Sequence, residues 1–289
     1  MIEGRLTRAL LGLGTILTLL FIWIPIGIIV LYAFNDGRTL AWPIEGLTVK
    51  WFSEAVRNPG VRDALWLSVR AALGATVLAI VLGSLAALAV SRFSFFGRNT
   101  ISFLVVLPIA LPGIVTGMAL NATFTQVFDP VFGIGLGLFT IIVGHATFCI
   151  VIVYNNVVAR LRRTSQSLEE ASSDLGADTW QTFRSITFPQ LGAALLAGAL
   201  LAFALSFDEV IVTTFTAGPQ QTLPIWILNN LARPNQVPIV NVVAVFLIVL
   251  SIIPVWVATR IAGAEGTGLT RDRPQRGNEA TSGEAEPSS

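Results

Sequence analysis

ALLGLGTILTLLFIWIPIGIIVLYAFN, Ala9 to Asn35, runs for 27 residues without an Asp, Glu, Lys or Arg. A helix crossing the hydrocarbon core of a bilayer needs about 20 mostly apolar residues. The stretch is too long for the apolar core of a cleaved leader, and no Ala-x-Ala site follows it. It is expected to be a retained anchor and a first span. Reading outward, charge-free runs recur at 71–91, 99–128, 130–159, 185–207 and 234–259. The expected fold is all-α, a polytopic membrane protein with six transmembrane helices.

Composition agrees. Of the 289 residues, 54% are hydrophobic before the 25 Gly are counted, and 12% are charged. Soluble domains average about 25% charged residues. Mean hydropathy is +0.74, more apolar surface than a single water-facing core can hide. A soluble enzyme and a disordered chain are both excluded. One cysteine, Cys149, excludes an internal disulfide and a Cys-based metal cage. One histidine, His145, and no HExxH string argue against a zinc hydrolase, and no metal site is expected. The only lysine, Lys50, lies outside any Walker A string, so no P-loop binds ATP in this chain.

Lys and Arg placement sets orientation. Arg5, Arg8, Arg92, Arg98, Arg160, Arg162, Arg163, Arg184, Arg260, Arg271, Arg273 and Arg276 fall on one side of the six spans. Arg38, Lys50, Arg57, Arg62 and Arg233 fall on the other, and Arg70 begins the second span. Twelve against five places both termini in the cytoplasm. Residues 1–8 then form a cytoplasmic N-terminus and 9–262 a membrane domain with an inner loop at 160–189. Residues 263–289, rich in Gly, Pro, Ser, Arg and Glu, read as a disordered cytoplasmic tail.

The inner loop carries SLEEASSDLGADTWQTFRSITFPQL, Ser167 to Leu191. Ser167 with Glu170 has capping-box spacing. Leu168, Ala171, Ser172 and Leu175 share one helix face. Gly176 stands where a left-handed C-terminal residue belongs. Asp178 with Gln181 starts a second helix whose Trp180, Phe183 and Ile186 share a face, and Pro189 marks the entry to the next span. The first helix has Glu169, Glu170 and Asp174 but no basic residue, which disfavours an anionic membrane surface. A docking surface for another protein and a self-packed loop both remain open on these grounds.

The loop resembles the EAA motif of permease subunits of bacterial ABC importers: Glu-Ala-Ala, three residues, Gly, nine residues, Ile, one residue, Leu-Pro. Here Glu170-Ala171-Ser172, Gly176, Ile186 and Phe188-Pro189 keep that spacing, with Ser172 and Phe188 as departures. The resemblance implies a coupling helix that inserts into a groove of a separate ATPase. It also implies two ATP-binding subunits carrying ATP and Mg, a second homologous permease and an extracytoplasmic substrate-binding protein. Catalysis would lie on the ATPase subunits, outside this chain, which would itself be a multi-pass protein of the bacterial inner membrane.

Within that family the chain is similar to the second permease of spermidine/putrescine-type importers. The residues that carry this are LPIALPG (Leu107–Gly113), GHATFC (Gly144–Cys149), SFDEVIVTTF (Ser206–Phe215), TLPIWI (Thr222–Ile227) and Tyr32 to Asp36. Polyamine is therefore the expected cargo. Permeases for ferric iron, thiamine or sulfate share the architecture.

Ionisable residues at membrane depth are costly, and Asp208 and Glu209 follow the fifth charge-free run. With Ser206 they are candidates for a cation path. The competing reading is a carboxylate at a helix end that reaches the outer interface or pairs with Arg233. Trp51 and Phe52 suggest a short helix on the first outer loop, shaping a gate or anchoring at the interface. Pro108, Pro112 and Gly113 are expected to break or kink the third span. His145 reads as a hydrogen-bonded packing residue, and Asn121, Gln126, Asn155 and Asn156 as interhelical contacts. A partner-free secondary transporter would explain the carboxylates but not the inner hairpin. An intramembrane enzyme would need a nucleophile and base that Ser206 and Asp208 do not supply.

Overall fold

The computed structural model describes residues 4–267. The helices in chain order are α1 (Arg5–Ala33), α2 (Lys50–Arg57), α3 (Pro59–Arg92), α4 (Arg98–Ala110), α5 (Gly113–Thr123), α6 (Asp129–Phe132) and α7 (Leu138–Arg163). Then come α8 (Ser167–Asp174), α9 (Thr179–Thr182), α10 (Phe188–Phe207), α11 (Ile211–Thr216), α12 (Leu223–Asn230) and α13 (Val237–Thr267). Among the described residues, five helical segments are long and apolar enough to cross a membrane, and the bent pair in the third charge-free run makes six when counted as one broken span. The expected six-span, all-helical plan is the observed one. The end of α13 passes the anticipated boundary at residue 262, and the rest of the anticipated tail lies outside the described residues.

The centre of the fold is α3 against α7 and α10. Ala64, Ala71, Ala72, Ala75, Ala79, Gly83 and Ala87 form a buried small-residue stripe along α3. Without a hydrophobic drive between helices in lipid, small side chains allow the close backbone approach that packing needs. A Cβ on Gly83 would lie 2.8 Å from the Ile150 carbonyl oxygen, and one on Gly198 of α10 would lie 3.3 Å from Val153 Cα. Three backbones therefore converge around Val153. The Cys149 thiol adds a 3.3 Å bond to the Ala202 carbonyl.

At 34 residues, α3 is about 51 Å long at 1.5 Å per residue, well beyond a hydrocarbon core of about 30 Å. Its first turns build a platform with α2 and α12. There Ser68 Oγ accepts from Leu223 N at 2.8 Å. Helix α1 ends against this platform, where Trp51 Nε1 donates to the Asn35 carbonyl at 2.8 Å.

The third span breaks at Leu111 and Pro112, where α4 and the segment from Gly113 meet at 105°. Leu111 is extended, as a residue before proline prefers. Pro112 supplies no amide to continue α4. Pro108 sits inside α4 without ending it. Pro189 stands at the entry to the next span, as expected. The chain stays helical from α9 into α10 through a widened π turn over Phe183–Thr187, and Pro189 lies in the first turn of α10. The wider turn accommodates the missing amide and the ring.

Candidate functional site

The α8–α9 hairpin stands at the end of the bundle where α3 and α7 finish and α10 begins. Its turn forms by local rules. Gly176 has φ +85°; Ala177 N donates to the Ser172 carbonyl at 3.1 Å and Gly176 N to that of Ser173 at 2.9 Å, a Schellman closure. Asp178 accepts from Gln181 N at 2.8 Å, while Gln181 Oε1 accepts from Asp178 N at 3.0 Å. The anticipated box at Ser167 is absent. Gln166 is the N-cap, and the Ser167 amide is taken by Ser165 Oγ at 3.2 Å. A nearer hydroxyl satisfied the donor and moved the helix start.

The hairpin's outer face is apolar and open. Leu175 is 90% exposed, Trp180 65% and Leu168 51%; Ala171 and Glu170 are exposed beside them. Ser172 Oγ and Thr182 Oγ1, 3.0 Å apart, close the inner side. Phe183 stacks on Trp180 with ring centroids at 5.7 Å, and Ile186 is half-buried. Glu169, not singled out from sequence as a site residue, anchors the unit. Its Oε1 accepts from Arg92 Nη2 at 2.8 Å and from Thr187 Oγ1 at 3.0 Å. Both charged side chains are largely buried, so α3, α8 and the start of α10 meet at one carboxylate. The acidic pattern was visible in the sequence, but its partner lies 77 residues away.

At the opposite end, the candidates for a cation path separate into different roles. Ser206 is buried and lies 2.7 Å from His145 Nδ1, whose Nε2 lies 2.8 Å from Thr213 Oγ1. His145 thus ties α7 to both sides of the α10–α11 break, and Ser206 faces packed protein, not an open path. Glu209 Oε1 accepts from Val212 N at 2.9 Å, which caps α11 and places negative charge at its N-terminus. Asp208 is exposed at the end of α10. The Arg233 guanidinium reaches Asn230 Oδ1 at 3.3 Å and forms no ion pair with Asp208 among the described residues. Trp51 is buried under Arg38 and Lys50, so it belongs to the platform core and not to a surface gate. Phe52 is half-buried and packs on Phe34 at 4.9 Å and Phe246 at 6.0 Å. Of the four amides, Asn121 alone bridges helices, donating to the Phe215 carbonyl at 2.7 Å. Asn156 bonds within α7, and Gln126 and Asn155 are exposed.

The described residues thus form a bundle of apolar, membrane-length helices with an exposed apolar hairpin at one end. Residues 79–264 match the family described as binding-protein-dependent transport system inner membrane component, and the chain belongs to that family. It is an inner-membrane permease of the ABC importer class. It is 33% identical over 273 residues to the spermidine/putrescine transport system permease protein PotC of Escherichia coli (strain K12), covering 93% of this chain and 98% of the relative. The putrescine transport system permease protein PotI of the same strain is 32% identical over 79% of this chain and 82% of its own length. A crystal structure of a bacterial ABC transporter involved in importing the acidic polysaccharide alginate superposes with TM-score 0.61 at 18% identity, covering 91% and 99% of the two chains. That last likeness concerns the fold alone.

Proposed function

We propose that the chain is the permease subunit of a polyamine importer, taking putrescine or spermidine, and that it passes ATPase closure to the spans through α8 and α9. The cargo assignment is carried by the 33% identity with PotC over nearly the whole of both chains. Two ATP-binding subunits with ATP and Mg supply the hydrolysis; this chain supplies movement and is not an enzyme. A second homologous permease completes the pathway, and an extracytoplasmic binding protein delivers the cargo. The Lys and Arg count supports termini and hairpin in the cytoplasm.

Leu168, Ala171, Leu175 and Trp180 form the apolar contact, with Glu170 at its edge. Ser172, Gly176, Phe183, Ile186 and Pro189 hold its shape. Of the carboxylates after α10, Asp208 is the group a passing cation would meet, because its side chain is exposed while that of Glu209 is taken up by the Val212 amide. Glu209 adds negative charge while it caps α11. A charge pair at about 4 Å is worth roughly 1 kcal/mol in water and about 4 at an effective dielectric of 20. Radiolabelled putrescine and spermidine uptake by cells carrying the complete system tests both statements. Wild type should import at least one, and Asp208→Asn should slow import about tenfold or more, normalised to inserted protein. Absence of uptake of either polyamine rejects the cargo and leaves the family membership standing. Wild-type rates in Asp208→Asn remove that carboxylate from the path.

A further inference from the structure

Beside the hairpin lies a cavity of about 550 Å³ between the end of α3, the start of α4 and the end of α7. Arg92, Arg98 and Arg162 line it and no Asp or Glu does, while Val90, Val106 and Val158 give it apolar wall. Arg92 spends Nη2 on Glu169, but its buried Nε has no hydrogen-bond partner among the described residues. Arg98 and Arg162 are exposed and form no ion pair among the described residues.

The depth of this cavity is fixed by the sequence. The charge-free run of α3 stops at Ser91, that of α4 starts at Asn99 and that of α7 stops at Ala159. Ser91, Arg98 and Ala159, at or beside these boundaries, all line the cavity, and charged residues return where hydrocarbon gives way to headgroups. The turn joining α3 to α4 presents Phe93, Phe95 and Phe96 as exposed rings, an arrangement suited to an interface. We propose that this cavity binds the headgroup phosphate of an anionic phospholipid, with its acyl chains along the apolar wall. Guanidinium groups match phosphate oxygens bidentately. Inorganic phosphate offers the same oxygens, but the valine wall and the aromatic turn favour a lipid. Arg98 and Arg162, with no ion pair among the described residues, repel a cation, so the cavity is separate from polyamine passage and the inference does not depend on the cargo.

The test is native mass spectrometry of the full-length chain, purified in nonionic detergent and stripped of lipid. Phosphatidylglycerol, phosphatidylcholine and inorganic phosphate are titrated in separate arms. Wild type should take up phosphatidylglycerol at a concentration at least tenfold below phosphatidylcholine. Each basic residue near an anionic surface contributes about fivefold, so Arg98→Gln with Arg162→Gln should weaken binding roughly 30-fold. Arg98→Lys with Arg162→Lys keeps the charge but not the bidentate fork and should fall between wild type and the glutamine pair. Should the glutamine pair fail to insert, the wild-type lipid preference and the lysine pair still decide. Equal affinity of wild type for the two lipids, or of wild type and the glutamine pair for phosphatidylglycerol, overturns the site. Displacement of phosphatidylglycerol by an equal concentration of inorganic phosphate overturns the lipid as occupant.

Discussion

Gly176 shows how one residue can set the shape of the hairpin proposed as a docking surface. At φ +85° with no heavy atom within 4 Å of where a Cβ would stand, space is not the constraint; backbone conformation is. A left-handed residue with a Cβ costs about 1–2 kcal/mol, and β-branching adds to it. Gly176→Val should leave the chain inserted but shift Leu175 and Trp180, abolishing transport and reducing ATPase co-purification. Gly176→Asn, which tolerates that backbone region, should retain far more of both. Normal transport by a well-expressed Gly176→Val variant would show that the turn geometry is dispensable. Glu169 illustrates the complementary case. A largely buried charge-assisted pair contributes about 1.5–3 kcal/mol, and here it holds the hairpin to α3 and not only to the span that follows it.

Among the elements, α3 and α7 depend on how closely their backbones meet. Gly83 and Gly192 are both helical glycines, yet a Cβ on Gly83 would press on the Ile150 carbonyl while one on Gly192 would meet nothing. Overpacking a tight core costs typically about 1–3 kcal/mol, whereas Gly→Ala in a helix with free space gains about 0.5–1. Gly83→Ala should therefore lower the melting temperature in detergent, read by tryptophan fluorescence, and Gly192→Ala should leave it unchanged or raise it. A Gly83→Ala protein as stable as wild type would mean that the helices separate without cost. The same logic explains the bent third span. Asn121 and Gly117 hold α5 against α11, with a Gly117 Cβ position 2.6 Å from the Phe215 ring, so the helix direction is fixed by its neighbour as well as by Pro112.

For the whole molecule, the two ends differ in construction: a hairpin with an apolar face at one, a packed platform of α2, α3 and α12 at the other. The Lys and Arg distribution is the ground on which we propose that the hairpin faces the cytoplasm. Native Cys149 is buried, so single introduced cysteines report cleanly. Leu175→Cys should be shielded from a membrane-impermeant maleimide added outside intact spheroplasts and react after lysis. Ser53→Cys, on the exposed side of α2, should react from outside. The reverse pattern would invert the topology.

The sequence by itself determined the solvent, the spans and the hairpin. These depend on runs of apolar residues, on short-range spacing and on single backbone preferences such as those of Gly176, Pro112 and the Asp178–Gln181 cap. Each is settled within a few residues of chain. Only the tertiary structure decided which polar groups stay free. Ser206 meets His145 from 61 residues away, Glu169 meets Arg92, and Trp51 meets Asn35 across the loop between α1 and α2. A buried polar group must find a partner wherever the fold brings one, and local pattern contains no record of that distance. The candidate path thus narrowed to Asp208. The arginine-lined cavity emerged where three span boundaries, unremarkable one at a time, were brought together.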